Sequence, residues 1–430
     1  MITSATDTMM IRRIFPALNP DLASSTIVIT IDISVRSFLI AILLLVAMSA
    51  RVTLGEELPD AETAKPTKLA HPPVTLPLTS FYDAPRPLPM GKPGELIRSE
   101  TSNQYSLPYE LSVLRLLYHS RTSRGEDVAV SGVVLIPDGK PPASGWPIIA
   151  WAHEFRGAAR QCAPSLMRNL GVGPLLAMYA NLGYAVVATD YAGLGADSGK
   201  SVVDMQSNAL DVIYSVTAAR SAVREIGAKW IAVGAFEGAL ASIGIAENEM
   251  RDPNYMGSVA TSGLAESQQV YERSATDSSG RSLLSLVSTL ENLYPEFKAT
   301  EILTDKALFA YKHASESCAS DAHLELPQEM MKPGWNNNRF VKEFFAGNNP
   351  GLNAAQGPLL VISGEIDPNV PVEMTAITVA RLCKQGDRVL FLKYPNLDSS
   401  GVMGASAGDQ ISWIKARFAG YPAPNNCRQK

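Results

Sequence analysis

Trp230-Ile231-Ala232-Val233-Gly234-Ala235-Phe236-Glu237-Gly238-Ala239-Leu240-Ala241-Ser242-Ile243 reads as a buried strand, a tight turn between two glycines, and the opening of a helix. The turn Gly234-Ala235-Phe236-Glu237-Gly238 fits the frame G-x-S-x-G, in which a serine stands exposed on a sharp strand-to-helix turn. The outer glycines are needed because so tight a turn leaves no room for a side chain beside its apex. Here the apex is Phe236, which has no nucleophilic atom. A bulky residue at so strained a position costs about 1–3 kcal/mol, so either the turn relaxes or the ring gains that much by packing.

A second position agrees with the first. Where such a turn carries catalysis, an acid follows it in the chain and a histidine follows the acid. Gly364-Glu365-Ile366-Asp367-Pro368, after the buried-strand run Leu359-Leu360-Val361-Ile362, supplies the acid as Asp367. The five histidines, His71, His119, His153, His313 and His323, all precede it. After the strand-like Val389-Leu390-Phe391-Leu392-Lys393-Tyr394, the loop that should hold the base reads Asn396-Leu397-Asp398-Ser399-Ser400-Gly401.

Further motifs extend the pattern: Phe81-Tyr82-Asp83 with Gly91-Lys92-Pro93-Gly94, Val128-Ala129-Val130-Ser131-Gly132, and Trp151-Ala152-His153 with Gln161-Cys162-Ala163-Pro164-Ser165. Asp190-Tyr191-Ala192-Gly193-Leu194-Gly195 and Gly401-Val402-Met403-Gly404-Ala405-Ser406 complete it. On these residues the chain resembles the secreted lipases and esterases of the secretory-lipase type, which are α/β-hydrolases, over roughly residues 80 to 427. Such enzymes carry G-H-S-x-G-G at the elbow and L-D-H-x-G-V-M-G near the end. The resemblance therefore implies a nucleophile position at Phe236, the acid at Asp367 and the base position at Ser399, of which only the acid is retained. It also implies an oxyanion hole built from the backbone N–H of Glu237 and of the stretch His153-Glu154-Phe155-Arg156-Gly157. Relatives show a glycine and small hydroxyl residues where this chain has Glu154, Phe155 and Arg156, and a carboxylate beside the hole would oppose a developing oxyanion.

The family activity implied is hydrolysis of triacylglycerols and other carboxylic esters. Loss of a triad nucleophile or base costs on the order of 10⁶ in turnover, so the paired substitutions predict an impaired or inactive member. Its expected ligand is an apolar ester or lipid, with transient contact at a lipid surface. Two other expectations stand beside this one. The first is a working lipase or carboxylesterase that uses Ser262 or another serine with His153; the second is a binding module for protein or lipid that uses a helical cap as its interface.

The 430 residues carry a net charge of -5 and no run of basic residues, which points away from nucleic acid. No Cys-x-x-Cys or His-x-x-x-His spacing suggests a metal, and no motif suggests a cofactor. Oligomeric state is not legible. Phe38 to Ala50 is an apolar run after Arg36 and reads as a signal-peptide core, cleaved between Ser49 and Gly55. It is short for a ~30 Å hydrocarbon layer, which leaves a membrane anchor as the alternative. Met1 to Val35 is long for the segment preceding such a core and suggests an internal start. Four cysteines in an exported chain fit two disulfides, Cys383 with Cys427 and Cys162 with Cys318; buried free thiols are the alternative.

Hydrophobic runs predict strands at about 112–119, 129–136, 147–152, 184–189, 229–233, 257–261, 358–363 and 388–393, with helices such as Met205 to Arg224 and Val372 to Lys384 between them. The alternation argues a mostly parallel sheet with helices on both faces. The expected organisation is an amino-terminal extension at 1–55, a linker at 56–80, and a first core part at 81–261. A helical cap at 262–349 and a second core part at 350–430 follow. Several residues have plainer readings. Ser406 also sits in a G-x-S-x-G frame but lacks a strand before it, and capping the last helix is its expected role. Asp190 would fix a turn, Asp367 would hold its own loop, and Glu237 would be a solvated carboxylate favoured by a helix dipole.

Overall fold

A computed structural model of the chain describes residues 75–199, 202–248, 252–276, 280–314, 318 and 326–427. The extension at 1–55, with the apolar core at 38–50, and most of the linker lie outside the described residues, as do His71 and His323. One nine-stranded sheet organises the rest in the order β1-β2-β3-β5-β4-β6-β7-β8-β9. Its strands are β1 (Leu96–Ser102), β2 (Ser112–Arg121), β3 (Asp127–Ile136), β4 (Trp146–Ala152), β5 (Ala185–Thr189), β6 (Ile226–Ala235), β7 (Tyr255–Thr261), β8 (Leu359–Gly364) and β9 (Val389–Tyr394).

The first three strands form an antiparallel meander that joins β5 antiparallel. From β5 through β4, β6, β7, β8 and β9 every pairing is parallel. Strands such as Ala185–Thr189 and Leu359–Gly364 are buried at every residue, which is what a parallel sheet covered on both faces demands. The covering helices are α1 (Gly173–Asn181), α2 (Met205–Ala222) and α3 (Glu237–Ala246), and later α8 (Val372–Gln385), α9 (Ser399–Ala405) and α10 (Ala407–Phe418). Between β7 and β8 the chain runs through α4 (Ser267–Ser274), α5 (Arg281–Leu293), α6 (Asp305–Ala314) and α7 (Arg339–Gly347). These four helices bury a core of their own around Tyr271, Leu286, Phe297, Phe340 and Phe344.

Two disulfides are formed, Cys162–Cys318 with Cα atoms 5.2 Å apart and Cys383–Cys427 with Cα atoms 5.5 Å apart. Asn348 knits the inserted helices to α2. Its Oδ1 accepts from the Met205 N–H at 2.6 Å and its Nδ2 donates to Ser267 Oγ at 3.1 Å.

Asp211 in α2 is fully buried, accepting from Ser120 Oγ at 2.5 Å and from the Ala192 N–H at 2.8 Å. Burial pushes its carboxyl up to about 7. A folded-state value above the unfolded one gives stability that is fully present below about pH 4 and is lost as pH rises through about 7. Over those roughly three units the loss is at most about 4 kcal/mol. Asp211→Asn is expected to flatten the pH dependence of the denaturant midpoint across that window. Burial raises Asp190, Glu237, Glu247 and Asp387 too, so the difference between the two proteins isolates Asp211. Parallel profiles would show that Asp211 carries no such linkage.

Candidate functional site

The carboxyl ends of the parallel strands collect the residues of interest: His153 after β4, Phe236 after β6, Ser262 after β7, Asp367 after β8 and Ser399 after β9. Open α/β sheets bind their ligands at this edge. Phe236 caps the amino end of α3 with φ 54° and ψ −122°, so the turn has not relaxed around its bulky apex. Its N–H donates to the Thr261 carbonyl at 3.1 Å, and its own carbonyl accepts from the Ala239 N–H at 2.9 Å. A Cβ on Gly234 would lie 1.9 Å from the Gly238 carbonyl oxygen, and one on Gly238 would lie 2.0 Å from that of Ala152. The glycines of the frame are packing requirements of the turn, whatever stands between them. The half-buried Phe236 ring packs against the core cluster that contains Val233, Ala235 and Ile362.

Asp367 is buried. Its Oδ1 accepts from the N–H groups of Asn369 at 2.9 Å and Val370 at 3.0 Å, which fixes the carboxylate, and its Oδ2 accepts from the Ser399 hydroxyl. Ser399 opens α9, whose amino end is capped by the Asp398 side chain accepting from the Gly401 N–H at 2.8 Å. A hydroxyl thus occupies the acid's free oxygen, where an imidazole would sit in a triad.

The oxyanion-hole region departs from the sequence reading. Glu237 is half-buried rather than solvated. Its Oε2 accepts from the Phe155 N–H at 3.3 Å. One of the backbone donors expected to face an oxyanion is therefore engaged by a side chain of this same chain. Burial, first, raises the Glu237 carboxyl; backbone hydrogen bonding, from Phe155 among others, opposes the shift, neighbouring Glu154 adds to it and Arg156 counters it. Glu154 and Arg156 pair with each other.

Other residues singled out in the sequence have partners that turn them away from the chemistry. Each ring nitrogen of buried His153 faces a carbonyl oxygen, Nδ1 that of Glu154 at 2.5 Å and Nε2 that of Asp190 at 3.0 Å. Burial lowers its pKa, and the neutral ring can donate to only one of the two. Asp190 accepts from Ser131 Oγ at 2.6 Å and from Ser165 at both Oγ, 2.5 Å, and N–H, 2.8 Å. Ser262, at φ 55°, donates its hydroxyl to the Ser399 carbonyl at 3.3 Å. Ser406 stands at the amino end of α10 but makes no side-chain cap; its hydroxyl accepts from Gln410 Nε2 at 2.8 Å, because its own backbone is already helical at φ −85° and ψ −2°.

Above the elbow lies a cavity of about 270 Å³. Phe236, Glu237, Leu240 and Ser399 line one side, and Val270, Tyr271, Ser274 and Ser282 of the inserted helices line the other. Val203 and Asn348 also reach it, contributions no local motif announces. Among the described residues no cluster of His, Cys, Asp or Glu is arranged to hold a metal ion.

The sheet order, the strained turn after β6 and the acid after β8 define an α/β-hydrolase fold. The sequence pattern of the secretory lipase family matches residues 171–426, and the chain belongs to that family. Lipase 1 of Candida albicans is 24% identical over 406 residues, which cover 81% of this chain and 82% of the relative. Lipase 6 of the same organism is 24% identical over 397 residues, at the same coverage. Among solved structures, Candida antarctica lipase A in its closed state superposes with a TM-score of 0.70 at 18% identity, over 82% of this chain and 89% of that one. A rice cell wall degrading esterase, LipA from Xanthomonas oryzae, gives a TM-score of 0.64 at 20% identity, over 76% and 98%. Membership in a secretory family and two disulfides agree with export through an oxidising compartment. No helix among the described residues is long and apolar enough to cross a membrane.

Proposed function

We propose that this member of the family keeps the pocket of an ester hydrolase without its ester chemistry, and that it binds a small apolar-tailed molecule without cleaving it. One observation carries this reading: the apex of an intact, strained elbow is Phe236. An ester carbonyl held above that turn meets a ring instead of an oxygen nucleophile. The Ser399 hydroxyl at Asp367 has no basicity with which to activate a water in its place. The inserted helices serve as a cover over the pocket, and Phe38 to Ala50 directs export as a signal-peptide core.

The purified full chain is expected to hydrolyse nitrophenyl esters at the buffer rate and to take up no label from a fluorophosphonate probe. Stoichiometric labelling of one serine, abolished together with esterase activity when that serine is replaced, would sink the proposal.

A further inference from the structure

We propose that the cavity selects ligands whose head group donates hydrogen bonds, a primary ammonium above all, and turns away carboxylates. The inference rests on the non-hydrolytic binding reading above and concerns the same pocket. In a working hydrolase this end of the pocket presents N–H donors to a carbonyl oxygen. Here one such donor is engaged. The Glu237 carboxylate accepts from the Phe155 N–H, and it lines the cavity.

The polarity of the site is thereby inverted. Among the described residues lining the cavity none is Lys, Arg or His, and Glu237 is the one carboxylate. The guanidinium of Arg156, whose charge favours the ionised Glu237, is itself paired with Glu154, and among the described residues Glu237 forms no ion pair of its own. Two other polar groups of the lining are committed: the Ser399 hydroxyl goes to Asp367, and the Asn348 amide goes to Ser267 Oγ and the Val203 carbonyl. A carboxylate offers about four acceptor positions, and one of those of Glu237 takes the Phe155 N–H. A half-buried carboxylate with no opposite charge beside it is costly, and an ammonium head supplies that charge while its tail covers Val203, Leu240, Val270 and Val370. With about 270 Å³ open to the centres of water molecules, where one water needs only about 10–15 Å³, the cavity has room for a medium-length alkyl tail.

The test is calorimetric titration of the full chain with octylammonium, 1-octanol and octanoate at neutral pH, repeated on Glu237→Gln. The glutamine oxygen can still accept from Phe155, and an unchanged melting temperature certifies the variant's fold. Octylammonium is expected to bind at least about tenfold more tightly than octanoate, and Glu237→Gln to lose about tenfold for octylammonium while octanol changes little. Octanoate binding as tightly as octylammonium would overturn the inference and leave the binding pocket standing. A preference for octylammonium that survives Glu237→Gln would equally overturn it, because the selecting group would lie elsewhere. Absence of binding by all three would overturn both the inference and the function on which it rests.

Discussion

Phe236→Ser, Ser399→His and Glu237→Ala combined are expected to raise ester turnover over the parent chain by on the order of 10³-fold or more. The elbow backbone is already in the conformation that presents a nucleophile, and Asp367 is already held by two N–H donors with its second oxygen facing position 399. The third substitution follows from the engaged Phe155 donor. Serine and histidine restored alone would still leave the Glu237 carboxylate in the oxyanion hole. Loss of one such donor costs about 10²–10³ in turnover, so the double variant should fall short of the triple by about that factor. Nitrophenyl ester kinetics on parent, double and triple variants read this directly. Equal rates for double and triple would mean that the carboxylate vacates the hole when an ester arrives.

Gly238→Ala should abolish the fold or cost at least about 4 kcal/mol, the range reserved for severe structural conflicts. The added Cβ would stand 2.0 Å from the Ala152 carbonyl oxygen, 2.6 Å from its carbon and 2.9 Å from the His153 oxygen. All three are backbone atoms, so no rotamer change relieves the clash, and β4 would have to part from α3. Gly404→Ala is the matched control: no atom lies within 4 Å of its added Cβ and it sits inside α9. There the change should stabilise by up to about 1 kcal/mol through helix propensity. Denaturant unfolding of both variants checks the pair; comparable stabilities would show that the elbow tolerates bulk beside its apex.

The elbow was legible because two glycines and a fully apolar strand leave few alternatives, and the geometry now shows each glycine blocked by a carbonyl. Buried strands announced themselves by composition. β1 did not: Leu-Ile-Arg-Ser-Glu-Thr-Ser is an edge strand with an open outer side and no buried residue, so its sequence looks like a polar loop. Chain order was enough to single out Asp367 and Ser399, whose side chains meet in the structure. It was opaque where the role depends on a side chain folding back. Nothing local tells that Glu237 turns onto the Phe155 N–H instead of into solvent, or that Val203, Tyr271 and Asn348 meet over one cavity from three distant segments. His153 was placed near the turn by position, but the two carbonyls that occupy its ring are a matter of three dimensions.

The inserted helices are fastened to the remainder of the chain where they leave β7, where they return toward β8, and at Cys162–Cys318. A flap fixed only at its two chain ends can rotate about the line between them. A third, covalent fastening through the loop after β4 opposes that rotation for as long as the sulfur bridge lasts. Traffic into the pocket would then proceed by the yielding of single side chains at its rim, and a ligand captured before the bridge closes would be slow to escape. The same bond that marks an oxidising compartment thus also sets how far the cover can swing.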